Sequence, residues 1–143
     1  MSLAPIARRL DGAPGPPAKA DSPAEHGRPL ITREQRDLLC AMAYTALGVG
    51  DAEQAVTLLS LVLREAPADT EVLRLLAYAL VRSGSGGQAL AALDRLAELE
   101  AGAAAPPLML LRSQALRLAG RLEEGRALFR AFVAERRSEE PRR

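Results

Sequence analysis

A period of 34 residues constrains this chain more than any other feature. The stretch "DLLCAMAYTALGVGDAEQAVTLLSLVLREAP", residues 37–67, places Leu39, Met42, Ala43 and Ala46 on one helical segment. Ala55 and Leu59 follow on a second segment, and Pro67 closes the unit. A shift of 34 residues finds the same residue classes at the same phase: Leu73, Leu76, Ala77 and Leu80, then Ala89, Leu93 and Leu96. The Gly50-Asp51 turn becomes Gly84-Ser85, and Tyr44 and Tyr78 occupy one shared phase. A third copy begins at about Pro106 with its turn at Gly120-Arg121, a spacing longer by two residues that Pro106 and Pro107 can absorb. A unit of this length cannot bury its apolar face alone, so the copies must stack.

The order large, large, small, small, then a buried Ala and a closing Pro, is that of the tetratricopeptide repeat, with Leu39 in the usual Trp place. The expected fold is all-α: three stacked helical hairpins forming a short right-handed superhelix with a concave groove. The repeats are expected at about 36–69, 70–103 and 106–137, within a domain spanning 30–137. Thr32 caps the first helix with Gln35 reaching back to it, and Asp51 with Gln54 and Ser85 with Gln88 repeat that pattern. Helices of about 14 residues are marginal alone and depend on packing. Ala43, Ala55, Ala77 and Ala89 permit close approach. In the third copy Arg112 and Ser113 stand where a large apolar and a small residue are expected, and Gly125 replaces the buried Ala. On its second helix Phe129 and Phe132 are expected to face inward, and Arg121, Arg126 and Arg130 to face water. The array then runs into "ERRSEEPRR" without a further amphipathic helix, leaving an apolar end for a second copy or another protein to cover.

Residues 1–29 hold six prolines among Ala, Gly and charges without hydrophobic periodicity, and read as a disordered Pro/Ala-rich arm. Residues 138–143 read as a charged disordered tail. Neither a secretory leader nor a membrane-length apolar run is present, so a cytoplasmic protein without membrane insertion is expected. Lys19 is the only lysine among 19 basic residues, a usage that suits a high-GC bacterial genome.

A net charge of +1 and 3% aromatic content argue against nucleic acid as a partner. One cysteine, Cys40, and one histidine, His26, exclude an intramolecular disulfide and a multi-ligand Cys/His metal site. Neither a cofactor nor a metal is expected, and acid-base catalysis lacks its parts. The run Gly84-Ser85-Gly86-Gly87 follows a helix and lacks a Lys-Ser/Thr pair, so it reads as a turn and not as a phosphate loop.

The first helix of each repeat lines the concave side of such an array. Its groove-facing places are Cys40, Tyr44 and Leu47, then Arg74, Tyr78 and Val81, then Leu110, Gln114 and Arg117. Aromatic and aliphatic side chains edged by arginine suit an extended or helical peptide with apolar anchors and some acidic character. The competing reading makes both tyrosines ordinary packing residues between repeats. Cys40 reads as a small apolar filler.

The run "LITREQRDLLCAMAYTALGVGDAEQAVTLLSLVL", followed by "LRLLAYALVRSG" and "LRSQALRLAGRLEEGRALFRAFV", resembles the small tetratricopeptide chaperones of bacterial type III secretion, especially the YscY (SctY) type. The long Pro-rich arm departs from that type. The resemblance implies a cytosolic chaperone, peripheral to the inner-membrane export apparatus. It would hold a small YscX-like export substrate in its groove as a heterodimer, and assist delivery to the export gate. Tyr44 and Tyr78 would be the aromatic anchors, Leu47, Val81 and Leu110 the aliphatic wall, and Arg74 and Arg117 the polar rim. A homodimer, a chaperone for needle or translocator subunits, and a general cytosolic scaffold are the alternatives.

Overall fold

A computed structural model describes residues 31–102 and 104–141. The arm expected over 1–29 lies outside the described residues. Six helices follow one another: α1 (Arg33–Gly48), α2 (Ala52–Glu65), α3 (Thr70–Arg82), α4 (Gly86–Glu100), α5 (Pro106–Leu118) and α6 (Leu122–Glu139). Each packs against the next in the chain, and α3 also reaches α5. They form three hairpins, α1/α2, α3/α4 and α5/α6, stacked in order. The fold is all-α and tetratricopeptide-like.

The three hairpin turns are built alike. Gly50, Gly84 and Gly120 have φ of 87°, 82° and 82°, a left-handed conformation that a Cβ disfavours. Each turn closes with the same pair of hydrogen bonds. Asp51, Ser85 and Arg121 donate their backbone N–H to the carbonyls of Ala46, Leu80 and Leu116, each at 2.8 Å. The glycine N–H groups donate to Leu47, Val81 and Arg117. This double closure satisfies carbonyls that a helix end otherwise leaves open.

The caps differ more than the pattern suggests. Thr32 and Gln35 form the full reciprocal box, with Thr32 N–H donating to Gln35 Oε1 at 2.8 Å and Gln35 N–H to Thr32 Oγ1 at 3.1 Å. Asp51 forms only half of one, accepting from Gln54 N–H at 3.1 Å. Ser85 caps nothing: its hydroxyl turns to the Ser83 hydroxyl, 3.2 Å away, and accepts from no helix N–H. Nor do Pro106 and Pro107 carry the extra length of the third copy, since both lie in the first turn of α5. One extra residue is helical, because Glu100 continues α4 at the phase where Ala66 has already left α2. The other lengthens the link before α5, which spans 101–105.

The small positions do what the packing requires. Ala43, Ala55, Ala77 and Ala89 are fully buried. Two apolar clusters, one centred on Leu59 and Val62 and the other on Leu93 and Leu96, share Val56, Leu63 and Leu76 at their border. In the third hairpin the odd residues form a matched set. Ser113 is 2% exposed and donates its hydroxyl to the Gly125 carbonyl at 2.9 Å, so a serine facing a glycine replaces two alanines without leaving a buried polar atom unpaired. Arg112 reaches Asp94 on α4 at 2.8 Å.

Two expectations fail at the end of the array. Phe129 is 46% exposed and Phe132 half-buried, with their ring centroids 6.3 Å apart, because no further helix among the described residues packs on that side of α6. The helix also continues to Glu139, into the segment expected to be a disordered tail. Arg121, Arg126 and Arg130 face water as expected.

One polar staple ties the first two hairpins together. Arg36 on α1 donates from Nε to Asp69 at 2.7 Å, from Nη1 to Asp37 at 2.9 Å and from Nη2 to Glu71 at 3.3 Å. Asp69 also caps α3, accepting from Val72 N–H at 3.2 Å. Its side chain is 16% exposed. The Arg36 hydrogen bond, aided by the Val72 N–H, holds the Asp69 carboxyl below its usual range against the opposing effect of burial. A depressed pKa contributes stability that is full above the unfolded value, near 4, and is lost as pH falls through the folded value. Asp69→Asn should therefore cost about 1–2 kcal/mol at neutral pH. In urea melts, that deficit against the wild type should shrink below about pH 4. A deficit independent of pH would assign the cost to packing instead of charge.

Candidate functional site: the cleft between the first two hairpins

A cleft of about 480 Å³ lies between α1 and α3. Four of the nine residues expected in the groove come together there: Cys40, Tyr44, Arg74 and Tyr78. They recur at helical spacing on facing helices, so their side chains point into one space. Tyr44 is 64% exposed and Tyr78 42%, so neither ring is consumed in packing between the repeats. Arg82 lies 6.0 Å from the centroid of the Tyr78 ring and supports it from the next turn. Burial pushes the Cys40 thiol up from its ordinary value, which fits a filler against the apolar cluster better than a nucleophile.

The other five expected residues are elsewhere. Leu47 and Val81 are partly buried against the apolar clusters. Leu110 is half-buried on α5. Gln114 and Arg117 border a separate shallow depression with Leu118 and Leu122.

Arg36, Glu71, Val72 and Leu75 line the cleft too, although the groove-facing positions taken from the repeat omit them. The signal was present for some of them. Arg36, Cys40 and Tyr44 form one i, i+4 row, so extending the groove one turn toward the start of α1 reaches Arg36. The cleft's arginines are already engaged, Arg36 with three carboxylates and Arg74 with Glu100. The attraction left for a ligand therefore comes chiefly from the two phenol rings and the aliphatic side chains of Val72 and Leu75.

The "Tetratricopeptide repeat" family profile matches residues 46–105, from the end of α1 through α4 to the following link. The six packed helices and this match make the fold tetratricopeptide-like. No curated protein sequence matches the chain. Tetratricopeptide domains generally bind protein partners, and the α1/α3 cleft lies on the side that the first helices of the repeats line. A protein-interaction scaffold is the functional class this supports. Among the described residues no helix is long and apolar enough to cross a membrane, and no group of three or more His, Cys, Asp or Glu could hold a metal.

Proposed function

We propose that the chain is a type III secretion chaperone that keeps a small YscX-like export substrate soluble in its α1/α3 cleft and assists its delivery to the export apparatus. The observation that carries this reading is the pair of exposed rings, Tyr44 and Tyr78, at one repeat phase on facing helices beside Val72 and Leu75. Such rings anchor a partner segment at low entropic cost, and a client with exposed apolar anchors needs a host of that kind. The sequence resemblance to the YscY type supplies the cellular setting. The partner is a small secreted protein held as a heterodimer, with the complex at the cytoplasmic face of the inner membrane. A needle or translocator subunit would suit the same cleft chemistry, as would the client of a general cytosolic scaffold.

The test is affinity isolation of the tagged chain from its native cells, with sizing and mass spectrometry of what co-elutes. The expected result is one small secretion protein in a defined complex. Tyr44→Ala and Tyr78→Ala should each weaken that complex about thirty-fold while circular dichroism stays unchanged. Loss of helicity would place the rings in the core. A client unrelated to secretion would leave the scaffold reading in its place.

A further inference from the structure

The stack repeats one docking event. On the second hairpin, α5 lies over α3 and α4: Leu90 and Leu93 of α4 share an apolar cluster with Leu111, Ala115 and Leu116 of α5, and Gly86 lies against Ala115, Leu118 and Ala119. Asp94, at the edge of this seat, pairs with Arg112 of α5 at 2.8 Å. The third hairpin carries the corresponding surface one repeat further on, as a groove of about 310 Å³ between α5 and α6. Phe129 stands there at the phase of Leu93, Arg126 at that of Leu90, Arg130 at that of Asp94, Arg117 at that of Val81 and Leu122 at that of Gly86. Leu122 and Phe129 are each about half exposed, and Arg126 is paired with Glu123. Among the described residues Arg117 and Arg130 have no acidic partner. Phe129 and Leu122 leave an apolar floor, but Leu122 fills the space that Gly86 leaves open for α5, Arg126 replaces Leu90, and the polarity of the edge is reversed.

We propose that this α5/α6 groove is a second docking surface, which takes an acidic amphipathic helix of a partner protein, seated further out over Leu122 than α5 sits over Gly86. The partner's apolar stripe covers Phe129 and Leu122. A carboxylate stands at the phase that Arg112 occupies on α5 and meets Arg130. A second copy is disfavoured, because a two-fold contact through this patch sets Arg117, Arg126 and Arg130 against their own counterparts. Residues 1–29 are disfavoured as well, since six prolines and the basic residues Arg8, Arg9, Lys19 and Arg28 do not make an acidic helix.

The probe is a synthetic peptide of residues 105–120 carrying Arg112→Glu, to meet Arg130, and Leu118→Ala, to lessen the contact with Leu122, which holds the peptide backbone further out than α5 lies on Gly86. The expected result is binding to the full chain that falls tenfold or more in Arg130→Glu. The companion peptide that keeps Arg112 should show the opposite preference. Tyr44→Ala/Tyr78→Ala should leave both preferences intact, which separates this surface from the α1/α3 cleft. Equal binding of both peptides to both proteins, or binding of neither, overturns the proposal. A dimer seen by light scattering that Phe129→Ser dissolves overturns it in favour of a second copy. Strong amide protection around Phe129 in the free monomer overturns it in favour of another segment of the same chain.

Discussion

Gly86→Val should destabilise the fold by about 3 kcal/mol, lowering the melting temperature by about 10 °C or more. A Cβ at residue 86 would lie 2.6 Å from the Ala119 backbone nitrogen, 2.7 Å from the Ala115 carbonyl oxygen and 2.7 Å from the Leu118 Cβ. Two of the three are backbone atoms, one in α5 and one in the residue that caps its end, so no rotamer change relieves the clash, and the second and third hairpins must separate. Gly87 is the control. It has open space where its Cβ would point, and Gly87→Ala should leave stability unchanged or raise it by up to about 1 kcal/mol through helix propensity. Paired thermal melts of the two variants make the measurement. Equal melting temperatures would mean that α4 and α5 do not approach as closely as the structure has them.

Leu59→Ala should cost about 2–5 kcal/mol in urea denaturation, the range for emptying a fully buried leucine site. Leu59 is 0% exposed because α2 faces α3 across it. Phe129 occupies the same repeat phase on α6 but is half in solvent, so Phe129→Ala should cost only about 1–2 kcal/mol despite deleting the larger side chain. The contrast isolates the effect of a covering helix from that of the residue itself. Similar costs at the two sites would show that something already covers Phe129 in solution, and would count against an open α5/α6 seat.

The hairpin count, the turn glycines and the four buried alanines were legible in the chain because each depends on local rules that recur at one phase. A helix needs an apolar face at a 3.6-residue period, a tight helix exit needs a residue that tolerates positive φ, and close helix packing needs a small side chain. Caps were less legible. Ser85 has the residue type of a cap, yet its hydroxyl turns to Ser83 and accepts from no helix N–H, an orientation that residue type cannot settle. The candidate cleft was half legible. A repeat phase identifies Tyr44 and Tyr78 as equivalent, but whether equivalent rings are buried between hairpins or left open depends on how far the hairpins splay.

The sequence by itself determined the all-α class, the stacked hairpins and the phase of every helix, because those follow from periodicity and turn chemistry within about 34 residues. Only the tertiary structure decided that the Ser113 hydroxyl is satisfied by Gly125, that Arg36 ties α1 to the start of α3, and that Phe129 lies open where Leu59 and Leu93 are covered. The physical reason is the same in each case. Burial and ion pairing belong to what lies across a contact, and a neighbour in space is not given by a neighbour in the chain.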